Sequence, residues 1–341
     1  MTEEGASREL IHLHFKVGPE HHRWRLDRFI GARIPRLSRH RIQTMIRSQP
    51  GLGGPSLRPS LRVREGQTLV LLRPAPVEPS VPRQFTVLAE DEQLLLIAKP
   101  AGLPVHATAR FHRNTLTALL RERYAAGGRI PRICHRLDRE TSGLMILART
   151  VEAEVRLKRA FLERRVQKRY LAIVAGQPEP EGVIDLPLGP DDETGIRVRR
   201  SVRGDGQPAR TRYRVLERRG AFALVEARPE TGRQHQIRVH LAAIGHSVVG
   251  DKLYGADPYA LLEYADHGWT EALAERLLLP RHALHAFGAD FEDPATGEPR
   301  RVECPMPEDL VDFWRGAGLP EGSQPGAAEA LRSTAIIEAS I

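Results

Sequence analysis

HRLDRETSGLMILA, His135 to Ala148, is the stretch from which the rest of the chain can be read. Polar and charged residues run directly into an apolar segment that begins near Leu144, the pattern of a loop feeding a buried strand. Asp138 is therefore expected in a loop at the mouth of a sheet, where a rigid scaffold commonly holds functional groups. Thr141, Ser142 and Gly143 are residue types that shape and hydrogen-bond a turn behind it. A lone loop aspartate is more often a cap or a surface ion pair, so the spacing alone assigns Asp138 no role.

Around this stretch, LLLIAKP, YLAIVAG, RYRVLERR and AFALVEARP read as further strands, and EAEVRLKRAFLERRV and GRQHQIRVHLAAIGH as helices. Strands and helices in this order, with apparent antiparallel neighbours, predict an α+β fold around a substantial sheet. In PETGRQHQIRVHLAAIGH (Pro229 to His246), Thr231 and Gln234 have the spacing of a capping box, which predicts a helix start there, and Gly245 suits its end. Ile237, Leu241 and Ile244 form the apolar face at about 100° per residue, with Arg238 on its half-buried shoulder. A guanidinium in that position either snorkels to solvent or needs an anionic partner. In KRYLAIV (Lys168 to Val174), Tyr170 opens an apolar strand, where packing is the commonest use of a tyrosine.

The N-terminal region differs in charge. Between Arg23 and Arg73 stand twelve arginines, no lysine and two acids, Asp27 and Glu65; this segment's +10 exceeds the +8 of the whole chain. Leu26, Phe29 and Ile30, then Ile42, Met45 and Ile46, repeat the i, i+3, i+4 spacing of two short helices. Ser38 is placed to cap the second, with Leu37 and Ile42 at the staple positions. Arg33, Arg36, Arg39, Arg41 and Arg47 crowd these helices, a clustering that suits contact with nucleic-acid phosphates. LRVREGQTLVLL follows as a strand-like stretch with Glu65-Gly66 as its turn. Prolines at 74, 76, 79 and 82 predict an extended spacer. The domain layout read from this is an extension at 1–21, a small basic domain at 22–73, a linker at 74–83, a large domain at 84–316 and a disordered tail at 317–341.

The 341 residues, 41% hydrophobic and 28% charged, have ordinary globular composition and suffice for about two domains. Two cysteines, Cys134 and Cys304, support neither a disulfide framework nor a cysteine zinc site. The start MTEEGASREL is acidic with no apolar core segment, so no secretory signal is expected. No apolar run approaches the about eighteen residues of a membrane span, and the expectation is a cytoplasmic protein. There is no phosphate-binding or dinucleotide loop and no HExxH helix; His235 and His240 are five apart, unsuited to ligating one metal from a helical face. His12, His14, His21 and His22 are expected at the surface.

Taken together, the segments resemble the RluA family of RNA pseudouridine synthases from about Gln93 to Trp314. The blocks AKPAGLPVHAT, HRLDRETSGLMILA, KRYLAIVAG, ETGRQHQIRVHLAAIGHSVVGDKLYG, RHALHAF and DPATGEP stand in the family's order, and HRLD-x-x-TSG with GR-x-HQIR-x-H is highly specific. The N-terminal region resembles the S4-like RNA-binding domain that precedes many such enzymes, although GLGGPSLRPS (Gly51 to Ser60) departs from its usual tight strand and turn. The resemblance implies a small α/β S4-like domain followed by a mixed, mainly antiparallel-sheet catalytic domain. It also implies isomerisation of specific uridines, in large-subunit ribosomal RNA or its precursor particle, with no cofactor, metal, membrane or protein partner.

By the same resemblance Asp138 is the catalytic carboxylate, acting first either by attack at C1′ or by removal of the C2′ proton. Arg238 pairs with it, and Tyr170 stacks on the flipped uracil. Arg136 fills the gap the base leaves, a position that suits a planar cation. His135, Leu137, Thr141 and Gly143 read as loop scaffold. Lys99, His106, Arg233 and Lys252 are candidates for contact with the RNA backbone. Three rival readings stand beside this one: a transfer RNA substrate, a non-catalytic RNA-binding ribosome-assembly protein, and a glycosidase in which Glu140 supplies the second carboxylate that such chemistry needs.

Overall fold

The computed structural model describes residues 10–35, 37–48, 58–74, 78–108 and 110–317, in two units, Met1–Val77 and Glu78–Ile341. Among the described residues no helix is long and apolar enough to cross a membrane.

The small unit contains β1 (Leu10–Lys16), α1 (Leu26–Arg33), α2 (Arg39–Arg47) and β2 (Thr68–Pro74). Both expected helices form, and Leu26, Phe29, Ile30, Ile42 and Ile46 are buried together with Leu69 and Leu71 of β2. The Ser38 hydroxyl accepts from the Arg41 amide at 3.4 Å, capping α2. Two expectations change. LIHLHFK alternates as a strand should and pairs antiparallel with β2, Leu13 opposite Leu71. Residues 10–21 thus belong to this unit and are no mere extension. Leu61–Val63 is not a strand; Arg62 makes one isolated bridge to Arg25, and β2 begins only after the Gly66 turn at φ +74°. His21 is packed edge-on against Trp24 and Phe29, against the expectation of a surface position. Arg36, most of the GLGGPSLRPS loop, part of the linker and the tail from 318 lie outside the described residues.

The large unit begins with β3 (Thr86–Glu90), β4 (Leu94–Lys99), α3 (Leu116–Tyr124), β5 (Arg132–Ile133), β6 (Ser142–Ala148), α4 (Val151–Leu162) and β7 (Gln167–Ala175). It continues with β8 (Glu181–Asp185), β9 (Leu188–Pro190), β10 (Arg200–Val202), β11 (Arg210–Arg219), β12 (Phe222–Pro229) and α5 (Gln236–Ala243). The last elements are α6 (Ala260–His267), α7 (Glu271–Leu277), β13 (Leu284–Glu292), β14 (Pro299–Glu303) and α8 (Glu308–Gly316). The main sheet runs β3-β4-β6-β13-β7-β12-β11-β8, with β5 on β6 and β14 on β13. Only β6 and β13 pair in parallel among these strands. The α+β, mainly antiparallel architecture therefore holds for this unit.

Both faces of the central strands are buried, because their apolar residues run without a polar alternate. Leu95 and Ile97 of β4 join Met145 and Leu147 of β6 in one core. Leu94, Leu96, Leu144 and Ile146 join α4 in another. One row across the sheet positions the site: Lys99, Gly143, Ala286, Tyr170 and Ala227 are successive register partners. Gly143 is at φ +115°, and a Cβ there would lie 2.3 Å from the Ala286 carbonyl oxygen. Only glycine fits, which gives the TSG sequence a steric reason.

Candidate active site

The loop before β6, the start of β7 and the β12–α5 connection meet around a cleft of about 180 Å³, lined among others by Arg136, Asp138, Lys168, Tyr170, Arg233, His235 and Arg238. The Asp138 loop is held from behind. The Thr141 hydroxyl lies 2.8 Å from His282 Nε2, and Ser142 Oγ 3.0 Å from His285 Nδ1. Lys99 Nζ donates to the carbonyls of Pro100, Leu103 and Arg139 at 2.8, 3.0 and 3.1 Å.

The β12–α5 connection is tied by Gln236. Its Nε2 donates to the Arg210 carbonyl and Thr211 hydroxyl, both at 2.9 Å, and its Oε1 accepts from the Thr231 hydroxyl and the Arg233 amide. The predicted capping box is therefore not formed. The helix starts at Gln236 after His235 at φ +59°, and Gln234 instead accepts from Arg200. Gln236 takes up the loop groups that a Thr231–Gln234 cap would have satisfied. The C-terminal end is as expected, with Gly245 at φ +85°.

These supports deliver Arg238 to Asp138, Nη1 to Oδ2, at 3.1 Å. Arg238 is not on a half-exposed shoulder but 4% exposed. Its other edge grips Asp251, Nε to Oδ2 at 2.6 Å and Nη2 to Oδ1 at 2.8 Å. Burial opposes the charged guanidinium, but Asp251 and then Asp138 outweigh it and raise its pKa. Burial likewise works against the Asp251 carboxylate, and Arg238 with the Leu253 and Tyr254 amides brings its pKa below the ordinary value. The result is a permanently charged arginine with one N–H aimed at a carboxylate that still faces the cleft.

Asp251 was not legible as part of this pairing, nor was the Tyr254 ring, whose centroid is 5.0 Å from the Arg238 guanidinium. Burial lowers the His235 pKa to about 4, so the ring is neutral at neutral pH, with Nδ1 2.7 Å from the Tyr254 hydroxyl.

Tyr170 lines the cleft, 7% exposed, and among the described residues its hydroxyl has no hydrogen-bond partner. Burial raises its pKa, keeping the phenol protonated. Arg136 is exposed at the cleft edge. Arg233 also lines it, its Nε donating to the Pro208 carbonyl at 3.1 Å. His106 is exposed, with Nδ1 3.2 Å from the Thr117 hydroxyl.

Two sequence candidates are corrected. Lys99 and Lys252 are 1% and 2% exposed. Lys99 spends its three N–H groups on carbonyls, and Lys252 donates to both Glu140 oxygens at 3.0 Å. Neither ammonium is available to an RNA backbone. Glu140, held by Lys252 and Arg139, does not line the cleft, which removes the second carboxylate of the glycosidase reading. His135 is scaffold, its Nε2 accepting from the Ile146 amide at 2.9 Å.

In the small unit Arg33, Arg39, Arg41 and Arg47 are all exposed. Arg39 also reaches the buried Asp27 carboxylate at 3.4 Å, beside Arg25 and Gln43.

Residues 93–243 match the family model described as RNA pseudouridylate synthase. Ribosomal large subunit pseudouridine synthase D of Xanthomonas campestris is 38% identical over 292 residues, covering 84% of this chain and 86% of that one. Its namesake from Nitrosomonas europaea is 36% identical over 316 residues, covering 88% and 86%. The solved structure of Human RNA Pseudouridylate Synthase Domain Containing 1 superposes with TM-score 0.55 at 28% identity, covering 76% of this chain and 98% of that one. The fold, the cleft and these matches together define an RNA-directed isomerase that converts uridine to pseudouridine. Within that class the chain belongs to the RluA family of RNA pseudouridine synthases.

Proposed function

We propose that the target lies in large-subunit ribosomal RNA and that Asp138 is the catalytic carboxylate. The observation that carries the second claim is the 3.1 Å bond from the buried Arg238 to a carboxylate that still faces the Tyr170 cleft. An arginine whose charge cannot be lost holds the Asp138 carboxylate oriented at the cleft, as both first steps require. In the reaction the N1–C1′ bond breaks with its electron pair left on uracil. The base turns within the cleft, C5 bonds to C1′, C5 loses its proton and N1 gains one. Attack at C1′ puts the Asp138 oxygen on the sugar carbon, a bond that breaks as C5 takes its place; removal of the C2′ proton puts that proton on Asp138, which returns it to C2′ as C5 bonds to C1′. Tyr170 supplies the face on which an extruded base stacks, and Arg136 at the rim occupies the space it vacates.

The ribosomal target rests on the names of the relatives and on the basic small unit, which in this reading is an S4-like domain gripping phosphates through Arg33, Arg36, Arg39, Arg41 and Arg47. The test is pseudouridine mapping of unmodified ribosomal and transfer RNA after incubation with the full chain. New sites in large-subunit RNA support the reading, and sites confined to transfer RNA contradict the target. Tight binding without sites on naked RNA or precursor particles would favour an RNA-binding assembly role.

A further inference from the structure

One cation in the cleft has no part in the reaction as described so far. Lys168 stands two residues before Tyr170 on β7, so the two side chains leave the same face of the sheet, and both line the cleft. Arg238 is bound by two carboxylates and Arg233 by a carbonyl. Lys168, in contrast, has no hydrogen-bond or ion-pair partner among the described residues.

Its ammonium lies 3.8 Å from where a side chain on Gly232 would begin. Lys168 also lines a small, mainly apolar gap with Leu144, Ile146, Phe161 and the neutral His135. Burial lowers its proton affinity, so the charge is penalised until a negative partner arrives. Such a partner arises in the reaction itself. Once N1–C1′ breaks, the uracil carries the electron pair as an anion spread over N1, O2 and O4, next to Tyr170.

We propose that the Lys168 ammonium binds the carbonyl edge of the target uracil and stabilises the negative charge the base acquires when its glycosidic bond breaks. The inference rests on the reading that this cleft takes the flipped uridine. The ammonium remains protonated throughout. The charge it stabilises is consumed when C5 bonds to C1′, and the C5 proton leaves afterwards.

The test compares full-length wild type with Lys168→Met, which keeps the stem, and Lys168→Gln, which keeps a neutral donor. Both should lose about 100-fold in single-turnover rate at saturating RNA, with Kd for RNA within about twofold and a thermal midpoint unchanged or raised. On RNA carrying 5-fluorouridine, whose fluorine withdraws electrons from the detached base, the loss in glycosidic cleavage should shrink by about tenfold. A raised Kd with unchanged rate and a salt slope lower by about 0.7 would make Lys168 a phosphate contact and overturn the proposal. Equal losses on the two substrates would overturn it too. Turnover by wild type with no loss in the variants refutes the Lys168 assignment alone and leaves the isomerase reading intact.

Discussion

Asp138→Asn and Asp251→Asn each remove one negative charge from the same arginine, and the structure predicts opposite outcomes. The Asp251 side chain is fully buried and accepts four hydrogen bonds, two from Arg238 and one each from the Leu253 and Tyr254 amides. An asparagine there turns a donor toward a donor and leaves a buried guanidinium half-paired. Breaking a buried pair in this way costs about 3–5 kcal/mol. In a unit of this size that corresponds to roughly 6–20 °C in Tm. The Asp138 side chain is 21% exposed and takes one bond from Arg238, so its neutralisation costs about 1 kcal/mol or less. Calorimetric melting at pH 7.5, paired with a turnover assay, separates the two. Asp138→Asn should melt within a few degrees of wild type and be inactive. Asp251→Asn should melt far lower. Equal destabilisation, or the larger loss at Asp138, would refute the division of labour around Arg238.

Burial holds the pKa of His135 at about 3 and those of His235 and His285 at about 4. As pH falls through 6.5 the unfolded histidines take protons that these cannot, so stability declines between about pH 7 and pH 4. At pH 5.5 the three together cost roughly 4 kcal/mol, to be read from urea midpoints at pH 7.5 and 5.5; a flat profile would contradict their burial. Gly143→Ala, which sets a Cβ 2.3 Å from the Ala286 oxygen at φ +115°, should cost at least about 2 kcal/mol, and an unchanged melt would contradict the strand geometry. Arg41→Gln and Arg47→Gln should each lower the salt slope of RNA binding by about 0.7–0.9. The same slope in both variants would remove α2 from the RNA interface.

The sequence was most readable where local pattern and structure obey the same rule. The i, i+3, i+4 apolar spacing located α1 and α2, and the apolar runs located β4, β6, β7, β11 and β12. Arg238 as a partner for Asp138 was legible through the family blocks and the cost of burying a bare guanidinium. What stayed hidden depends on three-dimensional burial. In the sequence Lys99 and Lys252 look like any basic residue open to contact with RNA, and only the packing shows their ammonium groups spent on carbonyls and on Glu140. Asp251 lies thirteen residues past Arg238, beyond a helix end and a glycine turn, so no helical spacing connects them. The Thr231–Gln234 spacing fitted a local cap, yet the competing partner, Gln236, is satisfied by Arg210 and Thr211 of β11, a non-local choice that spacing cannot reveal.

The central claim is that the Asp138 carboxylate performs the chemistry while the rest of the cleft binds. The most direct test is tritium release from large-subunit ribosomal RNA carrying uridine labelled at C5, with wild type and Asp138→Asn compared at equal RNA occupancy. The account predicts release by wild type and none above background by the variant, with matched Kd. Comparable release by Asp138→Asn would contradict it.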